Sequence, residues 1–187
     1  EEAKAEAKIL LDVKENLISP KNNTNFIGCV KDAITGGYLL SLRNFSAGDA
    51  NQIMYQSGID YAAPKKSVSG NELFSEIIPK INFSGESLTI KDGAIVKGVV
   101  DQNAFGEEDG ELVKELDKAV GRGETFDTIK KAFDLGTNYL TKRGITISVN
   151  DFDVPKIIIE QGKEIVQKAE QKTLSIIESY KDGSLDV

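Results

Sequence analysis

Ser87-Leu88-Thr89-Ile90-Lys91 and Ala94-Ile95-Val96-Lys97-Gly98-Val99-Val100 flank the dipeptide Asp92-Gly93. Two β-rich runs separated by these two residues predict an antiparallel hairpin with a tight turn. Asp92 enters the left-handed backbone region at low cost and Gly93 does so freely. That turn role accounts for Asp92 without a metal ion. The hairpin decides the fold class, because the pattern on both sides of it is mostly helical. The expectation is α+β: helices with a small antiparallel sheet, then a mainly helical C-terminal part ending in a long helix.

Outward toward the N-terminus, residues 1–18 read as a helix. Ala3, Ala7, Leu10, Leu11, Leu17 and Ile18 recur at near-helical spacing. Ser19-Pro20 ends it, since a residue before proline is pushed out of the helical region. A second helix is expected over residues 32–42, with Asp32 near its N-cap. Gly36 and Gly37 each weaken that helix by roughly 1 kcal/mol against alanine. Glycine makes sense there if another backbone packs close. Ser46 caps a third helix that carries Ala50, Ile53 and Met54 and closes at Gly58. Ser69-Gly70-Asn71-Glu72 opens a short helix with Leu73, Phe74, Ile77 and Ile78, stopped by Pro79.

Outward toward the C-terminus, residues 112–120 read as a helix ended by Gly121-Arg122-Gly123. Residues 125–143 form the next, with Phe126, Ile129, Phe133, Tyr139 and Leu140, terminated by Gly144. Ile145-Thr146-Ile147-Ser148-Val149 alternates as a short strand does. The last helix runs from near Pro155 to Tyr180, with Asp153 as its expected cap. Ile158, Gly162, Ile165, Ala169, Thr173, Ile176 and Tyr180 form one seam, the pattern of a face that meets a partner helix. That partner is expected beyond Val187 or in another chain.

Composition excludes several classes of function. The 187 residues are 40% apolar and 28% charged, which is ordinary globular usage for one large or two small domains. The net charge of -7 argues against an autonomous nucleic-acid binder, because phosphate affinity comes from Lys and Arg. It leaves room for a place beside nucleic acid in a larger assembly. Histidine is absent, which removes Ser-His-Asp and Cys-His catalysis and His-bearing zinc sites. Cys29 is alone, so no internal disulfide or thiolate cluster can form, as expected of a cytoplasmic protein. No membrane span or secretory leader is legible. The start at Glu1-Glu2-Ala3 without methionine suggests an excised fragment or a trimmed terminus. The glycosylation-type triplets at Asn22, Asn44 and Asn82 are read as chance.

Candidate chemistry is sparse. There is no Walker loop and no dinucleotide fingerprint, and Gly121-Arg122-Gly123 is too short for either. Glu107, Glu108 and Asp109 could attract a cation, but such a cluster is more often a solvated loop or a helix start, where negative charge is favoured. Asp151-Phe152-Asp153 could share magnesium. Capping and dipole complementarity before the helix at Pro155 explain both acids without one.

Several stretches line up, in order, with one family. They are Glu2-Ala3-Lys4-Ala5-Glu6-Ala7, Asn16-Leu17-Ile18-Ser19-Pro20, and the run from Ile27-Gly28-Cys29-Val30-Lys31-Asp32 through Ala33-Ile34-Thr35-Gly36-Gly37-Tyr38-Leu39-Leu40. Ser69-Gly70-Asn71-Glu72-Leu73-Phe74, the Asp-Gly hairpin, and Asn138-Tyr139-Leu140 leading to Gly144 follow. Together they resemble the largest subunit of multisubunit RNA polymerases in its archaeal A′ form, over nearly the whole chain. The resemblance implies a pore domain over residues 1–105 and the start of a funnel domain over residues 106–187. These would line the secondary channel that admits nucleoside triphosphates, the backtracked RNA 3′ end and the transcript cleavage factor. The implied partners are the other polymerase subunits, DNA, RNA and that factor, with no membrane.

Departures from the family pattern limit the claim. The catalytic Asn-Ala-Asp-Phe-Asp-Gly-Asp element is absent, and Asp151-Phe152-Asp153 is no copy of it, since Val154-Pro155 replaces Gly-Asp. Lys31 stands where the family usually has Gln, and the stretch near Pro64 is shortened. The expected segment is therefore catalytically empty, with nucleotidyltransferase activity belonging to the intact subunit. No cofactor is expected in it, magnesium and zinc lying elsewhere in that subunit. The residues singled out are architectural: Ser19, Pro20, Asp32, Gly36, Gly37, Asp92 and Gly93. Two other readings compete: a free-standing helical interaction module without catalysis, and a magnesium-dependent phosphotransferase using Asp151 and Asp153.

Overall fold

The computed structural model describes residues 1–108 and 110–184. Two compact units form, Glu1–Gly144 and Ile145–Val187. The first holds α1 (Glu2–Ile9), α2 (Asp32–Ser41), β1 (Asn44–Ser46), α3 (Ala47–Gln56), β2 (Ser67–Ser69) and α4 (Gly70–Ser75). It continues with β3 (Phe83–Ser84), β4 (Leu88–Lys91), β5 (Ala94–Gly98), α5 (Gln102–Phe105), α6 (Glu111–Val120) and α7 (Arg122–Arg143). The second holds a 3-10 turn (Val149–Phe152) and α8 (Lys156–Lys181). The architecture is α+β, with two small antiparallel sheets, β1-β2 and β3-β4-β5. Among the described residues no helix is long and apolar enough to cross a membrane.

The hairpin forms as expected. Asp92 and Gly93 take φ of 49° and 80°, and Lys91 pairs with Ala94 across the turn. A bulge between Thr89 and Ile90 shifts the register. Leu88 and Ile90 alternate into the core while Lys91 faces solvent, the period-2 pattern of a half-buried strand. The core continues through Phe74 and Phe105, whose rings stack at 6.5 Å, to Leu112, Leu116 and Leu135.

α2 packs lengthwise on α7. Gly36 makes this possible: a Cβ there would collide with the carbonyl of Gly136, and one on Gly136 with the carbonyl of Ala33. Close backbone approach, the reason anticipated for glycine in α2, is therefore realised at Gly36. Gly37 instead leaves ordinary van der Waals room, 3.4 Å from Phe74 to an ideal Cβ.

Other expectations are corrected. The first helix stops at Ile9, and Leu10 and Leu11 are exposed. The Asp12 carboxylate accepts from Lys14 N–H, and Asn16 Nδ2 donates to the carbonyls of Leu10 and Asp12. These local bonds break the α-helix, and the Asp12 carboxylate caps a 3-10 turn over Val13–Asn16. Ile18 then bridges to Asn25, so Ser19-Pro20 lies in a turn and does not end a helix. Asp32 is the first helical residue, while Lys31 holds the cap position at φ 48° without a side-chain cap bond. The helix expected from Thr125 begins at Arg122, so Gly121 alone separates α6 from α7.

Residues 145–149 form no strand. Ile145 and Ile147 are exposed, and no neighbouring strand supplies the ladder that a strand requires. Pro155, not Asp153, holds the N-cap position of α8. The boundary drawn at 105/106 falls between α5 and α6, within the first unit, where α6 packs on both α5 and α7.

Candidate functional site

The segment after α1 is tied across the first unit by one buried side chain. Asn25 is fully buried, and its Nδ2 donates to the carbonyls of Ile27 (3.0 Å) and Gly106 (2.7 Å). Its Oδ1 accepts from Gly110 N–H at 3.1 Å. Cys29 N–H donates to Phe105 O at 2.7 Å, and Gly28 lies so close to Gly106 that no Cβ fits. These bonds seat residues 25–29 on residues 105–110. Nothing in the sequence separates Asn25 from its solvated neighbours Asn22 and Asn23, because burial of a polar residue shows only when its partners are in place.

The seven architectural residues do not converge. Ser19 is buried, and its hydroxyl accepts from Lys21 N–H at 3.3 Å within a turn that includes Asn23 at φ 54°. Ser19 and Pro20 border a cleft shared with Lys21 and Phe26, whereas Asp92 borders another beside Asn82 and Phe83. Asp92 N–H donates to Asn82 Oδ1 at 2.9 Å, and Gly93 N–H to Ile81 O at 3.0 Å, so both are spent on the turn. Gly36 and Gly37 serve helix packing.

The acidic candidates are likewise accounted for locally. Asp151 accepts from the backbone and hydroxyl of Ser148 at 2.6 and 3.0 Å. Those bonds hold its carboxyl below the usual range. Asp153 is exposed and follows the 3-10 turn. Glu107 and Glu108 are exposed, and Glu108 N–H donates to Asn25 O. Asp109 lies outside the described residues. Among the described residues no three Asp, Glu or Cys side chains group as metal ligands do. Burial, with the nearby Asp134 charge second, pushes the Cys29 thiol up to about 12, so it is no nucleophile.

One surface cleft differs in charge. Arg43, Ser46, Asp49, Tyr139, Lys142 and Arg143 border a cavity of about 310 Å³ between β1, the start of α3 and the end of α7. Lys142 Nζ bonds Asp49 Oδ1 at 2.8 Å and Gln52 Oε1 at 3.2 Å. Ser46 caps α3, its hydroxyl accepting from Asp49 N–H.

The family described as RNA polymerase Rpb1, domain 3, matches residues 16–152. The Rpo1N subunit of DNA-directed RNA polymerase from Methanocaldococcus jannaschii is 29% identical, matching 100% of this chain but 16% of its own length. Rpo1N of Methanococcus vannielii is 28% identical over 100% of this chain and 24% of its own length. The β′ subunit of Bacillus subtilis is 24% identical over 97% of this chain and 19% of its own. The chain thus spans a quarter or less of the length of these three relatives. The matched range takes in the turn at Ser19-Pro20, the α2–α7 contact and the 3-10 turn before α8, and by it the chain belongs to the Rpb1 domain 3 family, part of the largest subunit of RNA polymerase.

Proposed function

We propose that this chain forms the pore and early funnel of the secondary channel of a cytoplasmic DNA-directed RNA polymerase. The observation that carries the reading is the family match over residues 16–152. The physical character of the chain supports it. The first unit is a scaffold held by backbone-to-backbone contact at Gly36 and by the Asn25 bonds. Asp12, Asp49, Glu72 and Asp101 are engaged in caps, and among the described residues no three acids group as metal ligands do. Helix α8 exposes Ile157, Ile158, Ile165, Val166 and Leu174, an apolar surface suited to neighbours in a larger assembly. Catalytic magnesium and structural zinc belong elsewhere in the subunit, and DNA, RNA, the other subunits and the transcript cleavage factor are the partners.

The test grafts this chain in place of the matching segment of an archaeal Rpo1N and reconstitutes the polymerase. RNA synthesis is expected from the graft and none from the chain alone with magnesium. A panel of photoreactive residues at exposed positions of the first unit is expected to label the RNA 3′ end in backtracked complexes. Active polymerase with no labelling at any position would remove the segment from the channel. The exposed α8 favours one second reading, an interaction module pairing through that helix. A stable homodimer of the free chain in sedimentation, together with an inactive graft, would favour it.

A further inference from the structure

We propose that the cleft between β1, the start of α3 and the last turn of α7 binds a phosphate group. The inference rests on residues of this chain alone and stands apart from the polymerase reading. Arg43, Lys142 and Arg143 border the cleft against the single carboxylate of Asp49. That is an excess of two positive charges on a chain whose net charge is -7. A basic cleft on an acidic protein concentrates anions locally where the rest of the surface repels them. A second cavity of the same unit, beside β3 and α6, is bordered by Glu111, Glu115 and Asp117 as well as two lysines, and has no such excess.

The cations are not equivalent. Lys142 is occupied by Asp49. Among the described residues neither Arg43 nor Arg143 has a carboxylate within ion-pair distance. Arg143 makes only a 3.5 Å approach to Gly144 O. Guanidinium groups present paired N–H donors that match two oxygens of one phosphate, which an ammonium cannot do.

A second observation is independent of charge. Tyr139 forms part of the cleft wall and is 4% exposed, and its hydroxyl has no hydrogen-bond partner. Buried hydroxyls are rarely left unpaired, because desolvation without a partner is costly. A phosphate oxygen supplies the missing acceptor. The cleft also lies at the N-terminus of α3, ten residues long, whose dipole favours an anion. Its volume, about 310 Å³, is at the small end for ligand clefts and fits a phosphate-bearing molecule or one unit of a strand, not an extended protein segment.

The experiment titrates the 187-residue chain with inorganic pyrophosphate, ATP, a short single-stranded RNA and a poly-glutamate peptide at physiological ionic strength, followed by amide NMR. Saturable shifts are expected at residues 43–49 and 139–144 with the phosphate probes. Tightest binding of pyrophosphate or ATP assigns the site to free phosphate compounds, and tightest binding of RNA assigns it to strand phosphates. Replacing Arg43→Gln with Arg143→Gln is expected to weaken binding by about tenfold or more, through loss of charge-assisted bonds. Arg43→Lys keeps the charge and removes the fork, so it tests the same point if the double variant folds poorly. Tyr139→Phe is expected to weaken binding without lowering the melting temperature, since its hydroxyl has no partner to lose. Undiminished binding in the arginine variants, shifts scattered over the surface, or preference for poly-glutamate would overturn the proposal.

Discussion

Gly36 and Gly123 are both helical glycines, yet their substitutions should act in opposite directions. An alanine Cβ at Gly36 meets the Gly136 carbonyl, backbone that cannot rotate away. Forcing α2 off α7 is expected to cost about 3 kcal/mol or more, the upper range for overpacking. Gly123 has nothing within 4 Å of an ideal Cβ. Gly123→Ala is expected to stabilise by about 0.5–1 kcal/mol, by restricting the unfolded chain. Urea unfolding of both variants checks the pair, and equal effects would show that α2 and α7 can separate cheaply. At Cys29, no labelling by a thiol reagent is expected at pH 8 in the native protein, with rapid labelling in urea. The folded pKa is raised to about 12 by burial, with Asp134 second, whereas the unfolded thiol titrates near 9.0. Stability from the neutral buried thiol is therefore full below pH 9 and declines as pH rises toward the folded value.

At the scale of the element, α4 opens on a capping box formed by Ser69 and Glu72. Ser69 Oγ accepts from Glu72 N–H at 3.2 Å, and Glu72 Oε2 accepts from Ser69 N–H at 2.8 Å. Ser69→Ala is expected to cost about 1 kcal/mol. The Lys65 ammonium first, and the Ser69 N–H second, hold the Glu72 carboxyl below its ordinary 4.5. A depressed folded pKa contributes stability above the unfolded value that is lost as pH falls through the folded one. The stability gap between wild type and Glu72→Gln is thus expected to be constant above the ordinary carboxylate range and to shrink as pH falls below it, measured by urea midpoints. The pair is largely exposed, so the gap is small. The two strand-like runs show why pattern alone is insufficient. Residues 94–98 find β4 beside them and pair with it, whereas residues 145–149 alternate as regularly but have no ladder partner, form no strand and stay exposed.

At the scale of the molecule, every buried apolar residue among the described residues lies between Leu17 and Leu140. A chain ended at Gly144 is therefore expected to unfold cooperatively with its melting temperature within about 2 °C of the full chain, a shift corresponding to less than about 1 kcal/mol. Helix α8 buries none of its residues. Its amides are expected to exchange fast in the free chain, because an isolated helix without tertiary packing is marginal even at this length. A large drop in melting temperature on truncation would mean that the second unit supports the first.

The sequence by itself determined what depends on neighbours in the chain. The hairpin at Asp92-Gly93, the Ser46 and Ser69 caps, the helix ends at Gly58 and Gly144, the α+β class and the family all follow from local spacing and from ordered short motifs. Only the tertiary structure decided the outcome where a segment needs a partner distant in the chain. Residues 10–12 leave the α-helical path and residues 13–16 tighten into a 3-10 turn, although their composition permits a continuous helix. Asn25 becomes a buried tie because Gly106 and Gly110 arrive beside it. Gly36 requires a small residue because Gly136, a hundred positions later, comes to lie against it. Arg43 joins Arg143 at one cleft for the same reason. Hydrogen bonds and capping act over a few residues, but packing and charge clustering depend on which distant surfaces the folded chain brings together.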